Sequence, residues 1–357
     1  MEAMDIQKAC LTQVKKQVHN MTVVNSSEYR ELDEHSNRYQ EIRQWRNEHI
    51  HEVWGHSIAL NEFHDNLIKT TVQIAIEKVE SELGPAPAHF AFFIMGSGGR
   101  SEQSIWSDQD HGIIFDGKEE YKSYFLYLGK EISDGLYFVG YEYCDGKVMS
   151  SNPKWCHSMD AWQKQIDDWL NKASWETLRY FSTFFDSRVL FGEADFLKKL
   201  KKLAFLTLKN APYLYTRLLE NMSHMKKGIG ILGQLLPDSS GKEAGSINMK
   251  TAIFFPYVNS LRLLALKEEI IAPSTLTRFQ QLPDSYINIK KYQSSFERLL
   301  YLRLYYKKHS KSYEDVHFLN IDSLTKAEKQ ELKHIMKNGY KLFAETKDII
   351  RKGCSPC

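Results

Sequence analysis

The chain has 357 residues, of which 26% are charged and 42% hydrophobic, with a formal net charge of +2. This length predicts two or three domains with a substantial core, and the 13% of aromatic residues argues against a disordered chain. The near-neutral charge gives no global basic field, so the composition does not predict a nucleic-acid partner.

Membrane and secretory segments are not predicted. No apolar run approaches the roughly 20 residues that cross a bilayer, and the N-terminal segment lacks the apolar core of a signal peptide. The five scattered cysteines, an odd number, are typical of a reducing compartment. The chain is therefore expected to be cytoplasmic. Cys354 and Cys357 have the spacing of a redox or metal pair, but no second ligand pair is near them in sequence, and we interpret the spacing as accidental.

Residues 5–84 are predicted to be helical. Within residues 58–83, apolar side chains recur at helical spacing. Gly84 and the following Pro85 then supply a stop, because glycine suits the position after a helix and proline cannot continue one.

The hydrophobic period changes after this stop. Residues 89–95 and 110–115 are short apolar runs bounded by turn residues, a pattern that predicts two buried strands. Residues 118–136 indicate a helix, and residues 141–149 indicate a further strand or hairpin.

From residue 158 onward the pattern is mainly helical. The predicted helices span residues 158–170, 174–190, 193–208, 212–227, 249–268, 287–308 and 323–351. The last of them is predicted to begin at the cap residues Asp322 and Ser323. Residues 228–247 are predicted to form a loop or small hairpin.

The residues that suggest chemistry are concentrated in residues 92–115. The first predicted strand ends at Met95, and the glycine-rich stretch that follows lets the backbone turn sharply and approach a ligand. Ser97 adds a hydroxyl, and a helix predicted to begin near Arg100 would direct free backbone N–H groups toward the same space. Arg100 can add a two-point contact to phosphate oxygens. The stretch predicts a phosphate-binding loop, although it lacks the Gly-Lys-Ser/Thr ending of a Walker A loop.

Asp108 and Asp110 open the second predicted strand. Side chains two apart on a strand share one face, and two adjacent carboxylates repel each other unless a cation lies between them. Mg²⁺ prefers one or two carboxylates plus substrate phosphates. Two such ions, with Mn²⁺ as an alternative, would support in-line displacement at a nucleoside triphosphate. Taken singly, the glycine turn and the Asp pair are most often structural, but their combination is specific.

This combination of a strand, a Gly-Ser loop and a Ser-Asp-x-Asp motif resembles the DNA polymerase β-type nucleotidyltransferase superfamily. More narrowly it resembles the DUF294 nucleotidyltransferases, which are relatives of the bacterial uridylyltransferase of the PII signalling protein and of glutamine synthetase adenylyltransferase. Blocks at residues 140–155, 184–200 and 247–266 are similar to later parts of the family. The resemblance covers most of the chain from about residue 60, whereas residues 1–60 are less clear.

The resemblance implies roles for individual residues. The implied nucleotide-binding residues are Gly96, Ser97, Gly99, Arg100, Glu102 and Ser107. Within this set, Arg100 and Glu102 would organise the loop, whereas Asp108 and Asp110 would hold the metal ions. His111 stands where the family often has asparagine, and its side chain is expected to face away from the aspartates.

Transferases of this superfamily usually use a third carboxylate from a later strand to help deprotonate the acceptor. The candidates here are Glu142, Asp145 and Asp186. We favour Asp186 as the catalytic residue, with a structural ion pair to Arg188 or Arg179 as the alternative.

Three further residues have two interpretations each. Lys250 and Arg262 are candidates to face the nucleotide from the C-terminal helices, and an exposed helix face explains them equally well. Asn152, which precedes a proline, either places an amide at the cleft or forms a turn.

The predicted fold is α+β, with the active cleft between the sheet and the C-terminal helices. Its expected parts are N-terminal helices in residues 1–84, a small mixed-sheet nucleotidyltransferase domain in 85–200, and a C-terminal helical, substrate-binding-like domain in 201–357.

The predicted function is Mg²⁺-dependent transfer of a nucleoside monophosphate from a nucleoside triphosphate to an acceptor hydroxyl, with release of pyrophosphate. By analogy with the PII and glutamine synthetase enzymes, the acceptor is a protein. One alternative is a catalytically silent nucleotide sensor, which the lack of a third carboxylate near the Asp pair would favour. The other is a small-molecule nucleotidyltransferase. Neither a nucleic acid nor a membrane is expected as a partner.

Overall fold

The computed structural model of the protein describes residues 34–241 and 243–353. The helices predicted before residue 34 and the Cys354–Cys357 pair lie outside these ranges. Among the described residues, no helix has the length and apolar character needed to span a membrane.

Two long helices precede the sheet. Helix α1 spans Glu34–Val53 and α2 spans Ser57–Leu83. Helix α2 confirms the helix predicted from the apolar spacing. It ends at Gly84, whose φ of +82° is a backbone conformation that glycine adopts without steric cost.

A four-stranded sheet follows, with strands β1 (Phe90–Ile94), β2 (His111–Phe115), β3 (Cys156–Ser158) and β4 (Arg188–Gly192) in the order β3-β2-β1-β4. Strand β1 is antiparallel to both β2 and β4, whereas β3 is parallel to β2. The sheet is therefore mixed, as predicted, and β1 and β2 lie at its centre.

The α-helices of this region are the four-residue α3 (Gly96–Gly99), then α4 (Lys122–Val139), α5 (Met159–Lys172), α6 (Trp175–Phe185) and α7 (Ala194–Asn210).

Helices cover both faces of the sheet. Phe92 and Ile113 pack with side chains of α1, α2 and α4, whereas the alternate residues Phe93 and Ile114 pack with side chains of α5, α6 and α7. The Trp162 indole N–H also donates to the Ile113 carbonyl at 2.9 Å. Because both faces are buried, the central strands have continuous apolar runs instead of an apolar–polar alternation.

The C-terminal region is a helical bundle with a two-stranded sheet at its side. Its helices are α8 (Tyr213–Met222), α9 (Phe255–Lys267), α10 (Thr275–Gln281), α11 (Ile287–Lys290), α12 (Gln293–Lys307) and α13 (Lys326–Gly353), and its strands are β5 (Ser246–Asn248) and β6 (Phe318–Asn320). Every residue of α9 from Pro256 to Leu266 is buried, so this helix is the centre of the bundle.

The α+β fold class is confirmed, but several local predictions are wrong. Residues 174–190 do not form one helix: α6 ends at Phe185, and Arg188–Gly192 forms the edge strand β4. Residues 141–149, predicted as a strand or hairpin, form turns instead, with one isolated backbone bridge between Glu142 and Asp108. The final helix begins at Lys326 and not at Asp322 or Ser323.

The start of the final helix shows why its predicted cap was wrong. Thr325 Oγ1 accepts from the Glu328 backbone N–H at 3.2 Å, and the Glu328 carboxylate accepts from the Thr325 N–H at 2.8 Å. This reciprocal pair is a capping box, which stabilises a helix start more specifically than a single polar residue does.

Candidate metal and nucleotide site

The pairing of β1 with β2 sets the position of the two aspartates. The Met95 N–H donates to the Asp110 carbonyl at 2.7 Å, so the end of β1 lies beside the start of β2. Between the aspartates, the Gln109 side-chain amide turns to the opposite side and donates to the Ser133 and Tyr141 carbonyls, each at 3.1 Å. Asp108 and Asp110 therefore project to the same side, in agreement with their spacing of two residues.

A thiol lies beside this pair of carboxylates. One ligand atom each from Asp108, Asp110 and Cys144 lies within 4.8 Å of the others, and all three residues are partly buried. The candidates predicted from sequence included the neighbouring Glu142 and Asp145 but not Cys144. The available signal was the position of Cys144 between these two candidates. In the structure, Glu142 forms a backbone bridge with Asp108, which brings residue 144 close to the aspartates.

The electrostatics of this group favour a cation. Burial, and then the charge of Asp108, raise the pKa of the Asp110 carboxyl. Burial and the Asp110 charge likewise raise the pKa of the Cys144 thiol. Burial, and then the charge of Asp108, raise the pKa of the Tyr313 hydroxyl. A divalent cation would offset the like-charge part of these pKa shifts, which adds to the larger effect of burial, so the donor set fits such an ion.

The glycine-rich loop packs against the same carboxylates. Its helix α3 occupies Gly96–Gly99, so the prediction of a helix beginning near Arg100 is wrong: Arg100 is where this short helix ends. Gly96 has a φ of +57°, and a β-carbon there would overlap Asp110 Oδ2. A β-carbon on Gly99 would overlap the Asp186 carbonyl oxygen. These close approaches explain why the loop needs glycine at both positions.

The loop and the aspartates also share a cavity, whose lining includes Ser97, Gly98, Asp108 and Asp110. The first N–H groups of a helical turn have no partner inside the helix. Residues of the loop and of the aspartate pair therefore border the same cavity.

Asp186 lies apart from this space, in a cluster of three arginines. Its fully buried carboxylate is 3.0 Å from Arg100 Nη1, 2.5 Å from Arg262 Nη2 and 2.8 Å from Arg278 Nη1. Burial alone would raise the pKa of Asp186, but the guanidinium groups of Arg262, Arg278 and Arg100 outweigh it and hold that pKa below its usual range.

This geometry argues against Asp186 as the third catalytic carboxylate. Asp186 is not one of the residues grouped with Asp108 and Asp110, and its oxygens already face three cations. The predicted alternative, an ion pair between Asp186 and Arg188, is also wrong, because Arg188 pairs with Asp65 at 2.6 Å. Asp186 is better described as a positioning residue for the loop.

Arg100 transmits this positioning to the loop. Its Nε donates to Glu102 at 2.7 Å while Nη1 contacts Asp186. Glu102 also accepts from the Thr275 hydroxyl at 2.5 Å, and its carbonyl accepts from Arg303 at 2.8 Å. The side chains of Arg100 and Glu102 therefore tie the loop to the C-terminal helices.

Helix α2 holds the loop from the other side. Asn61 Oδ1 accepts from the Gln103 N–H at 3.0 Å, and the His64 Nε2 lies 2.8 Å from the Ser104 carbonyl. Asp65 binds Arg188, whose Nε donates to the Gly98 carbonyl at 3.1 Å. These supporting residues were not predicted from sequence, although their spacings of three and four residues along the predicted helix were a usable signal.

The remaining predicted residues have mixed placements. Ser107 is buried and donates to the Asp108 carbonyl at 3.1 Å. Lys250 is exposed and acts electrostatically on Asp110, whereas Arg262 is bound to Asp186. Asn152 forms a turn, with its Oδ1 accepting from the Lys154 N–H at 3.0 Å.

His111 takes part in the support of the site. It is buried, its Nε2 lies 3.0 Å from Gln109 Oε1, and its Nδ1 accepts from the Ser150 N–H. Burial lowers its pKa to about 3, so the ring is neutral. Its hydrogen bonds are with Gln109 and Ser150 and not with the carboxylates.

Two models of known protein families match this chain. Residues 42–176 match the family model described as "Putative nucleotidyltransferase DUF294", and residues 212–347 match the model described as "Putative nucleotidyltransferase substrate binding domain". The chain belongs to the DUF294 family. No curated protein matches the chain.

The DUF294 match supports a general nucleotidyltransferase role. The first matched region contains the glycine-rich loop and both aspartates. The second matched region contains Arg262 and Arg278, which bind Asp186, and Tyr313, which lies near Asp108. Asp186 lies between the two matched regions and is ion-paired to side chains of both. The site is thus assembled where the two DUF294 regions meet.

Replacing Gly96 by alanine should damage the metal site. A β-carbon there would displace the Asp110 carboxylate, and the positive φ would cost about 1 kcal/mol more. We expect Mn²⁺ affinity, measured by calorimetric titration, to fall at least about tenfold. Gly98→Ala is the matched control, because a β-carbon at Gly98 has its nearest neighbour, Ile94 Cδ1, at 3.4 Å. Unchanged affinity in Gly96→Ala would contradict this geometry.

Asp186→Asn should destabilise the protein by about 3–5 kcal/mol, because it leaves the buried Arg262 and Arg278 without their shared counter-charge and weakens the pairing of Arg100. The folded-state pKa of Asp186 is depressed, so its contribution is present at neutral pH and is lost as the pH falls toward that folded pKa. The stability difference between wild type and variant, from urea unfolding, should therefore shrink below about pH 4.

The exposed Asp168→Asn serves as the control, with an expected effect of about 0.5 kcal/mol or less. An Asp186→Asn protein as stable as the control at pH 7 would show that the arginine cluster does not depend on this carboxylate.

Proposed function

We propose that the protein transfers a nucleoside monophosphate from a nucleoside triphosphate to an acceptor hydroxyl, with release of pyrophosphate and dependence on Mg²⁺. The observation that carries this proposal is the Asp108–Asp110 pair, whose carboxylates project to one side and lie beside the Gly96–Gly99 loop. The family match supports the general reaction class.

The residues of the chain have distinct tasks in this proposal. Asp108 and Asp110 hold the divalent cations, which when bound polarise the phosphate oxygens and stabilise the charge that develops on them. The loop backbone and the Ser97 hydroxyl donate hydrogen bonds to the phosphates. Lys250, exposed and within electrostatic reach of Asp110, adds positive charge on the side of the C-terminal helices.

The loop can perform this task because it is held before the substrate binds. Asn61 and Arg188 hold it from the side of α2, and Asp186 holds it through Arg100. Donors that are already fixed cost little reorganisation when charge develops on a bound phosphate. We therefore assign Arg100 to the support of the loop and Ser97 to direct contact.

We further propose that the acceptor is a protein hydroxyl and that the reaction takes place in the cytoplasm. Two considerations support the acceptor: the resemblance to the enzymes that modify PII and glutamine synthetase, and the match of the C-terminal bundle to a substrate-binding domain. Both are analogies at the level of the family and not of the site.

A nucleotide sensor without catalysis is the second candidate. It is favoured by one observation: among residues 34–241 and 243–353, no third carboxylate is grouped with Asp108 and Asp110. A sensor would bind the nucleotide and bias the C-terminal helices without consuming it.

Asp108→Asn and Asp110→Asn should each lower pyrophosphate release at least about 100-fold, because each removes a metal ligand. The assay measures pyrophosphate from each of the four nucleoside triphosphates, with Mg²⁺ or Mn²⁺ present. Asp116→Asn, an exposed aspartate at the far end of β2, is the matched control and should retain the wild-type rate. Wild-type turnover in both variants would refute the transferase proposal.

Incubation with α-labelled triphosphates and cell lysate then separates the two candidates. A transferase should leave label on an acceptor, and the base that labels it identifies the donor nucleotide. Nucleotide binding with neither pyrophosphate release nor a labelled product would support the sensor.

A further inference from the structure

The third donor beside the two aspartates is sulfur. In the part of the chain that the structure describes, Asp108, Asp110 and Cys144 form the one group of three metal-ligating side chains with ligand atoms this close. Ligand atoms of a single first-row cation lie roughly 3–4 Å apart, because each is about 2.0–2.3 Å from the metal. Ligand atoms within 4.8 Å of one another can reach such an ion with small side-chain movements.

The backbone fixes Cys144 at this position. On one side of it, the Glu142 carbonyl accepts from the Gln109 N–H at 3.0 Å, and on the other side the Val148 carbonyl accepts from the His111 N–H at 3.0 Å. Between these anchors, the Lys147 N–H donates to the Cys144 carbonyl at 2.8 Å and closes a turn. Both anchors involve backbone N–H groups next to the aspartates in sequence, those of Gln109 and His111. The segment that carries Cys144 is therefore fixed beside Asp108 and Asp110.

We propose that Cys144 is the third protein ligand of the divalent-cation site, and that it gives the site a preference for thiophilic first-row cations, such as Co²⁺ and Zn²⁺, over Mg²⁺. This inference rests on the metal site of the proposed function but not on the identity of the acceptor. Carboxylate oxygens suit Mg²⁺, whereas a thiolate selects softer ions. On coordination a metal–sulfur bond replaces the S–H bond, and the proton is released to solvent.

The alternative is a structural thiol that only donates a hydrogen bond to Asp110. Serine in place of Cys144 would retain such a hydrogen bond and leave the metal preference unchanged. A ligand role predicts the reverse, because a hydroxyl does not replace a thiolate toward Co²⁺ or Zn²⁺.

The test uses the full chain after treatment with a chelator and titration with Co²⁺. Thiolate ligation produces a sulfur-to-Co²⁺ charge-transfer band in the near-ultraviolet spectrum. We expect this band in the wild type and its loss in Cys144→Ser and Cys144→Ala, with Co²⁺ affinity at least about tenfold weaker. The Cys354→Ser/Cys357→Ser double variant is the control, because that pair also has metal-binding spacing, and it should retain the band.

A wild type without the band, or a band that persists in both Cys144 variants, would overturn the proposal. Competition between Mg²⁺ and Zn²⁺ gives a second readout: Cys144→Asp should shift the ratio of the two affinities toward Mg²⁺ at least about tenfold. An unchanged ratio in this folded variant would also overturn it.

The ligand role of Cys144 and the transferase activity can fail independently in these experiments. A Co²⁺–sulfur band without turnover of any nucleoside triphosphate would support the ligand and refute the transferase. Mg²⁺-dependent turnover without the band would support the transferase and refute the ligand.

Discussion

Two carboxylates held side by side in a partly buried corner are the constraint on which this structure depends. Asp108 and Asp110 project the same way because Gln109, between them, is anchored to carbonyls on the opposite side. Burial, and then the charge of Asp108, raise the pKa of the Asp110 carboxyl. With both carboxylates charged, the pair is stable only with a compensating cation. The packing of Gly96 against Asp110 and the ion pairs of Asp186 hold the surrounding loop in place for that cation.

Much of this arrangement was predictable because it depends on local spacing. Alternation along a strand places Asp108 and Asp110 on one face whatever the rest of the fold does. The apolar runs that form β1 and β2, and the glycine that ends α2, are equally local signals. The resemblance to the DUF294 family used the same residues, and the family match confirms it.

The rest depended on contacts between residues far apart in sequence. Asp186 follows a helix and precedes an edge strand, and only the folded chain shows that Arg262 and Arg278 face it. The resemblance placed Asp186 in a block similar to the family and could not distinguish a catalytic carboxylate from a buried counter-ion. Cys144 was missed for a related reason, because a third carboxylate was expected and a lone cysteine in a turn carries no periodic signal. The domain boundaries at residues 84 and 200 remain a prediction.

The central claim is tested most directly by Mn²⁺ binding to the metal-free protein, followed by electron paramagnetic resonance of the free ion. We predict saturable binding by the wild type and by the Asp116→Asn control, with affinity at least about tenfold weaker in Asp110→Asn. If the wild type and Asp110→Asn bind Mn²⁺ equally well, the two aspartates do not form a cation site, and both the transferase proposal and the metal-ligand role of Cys144 are contradicted.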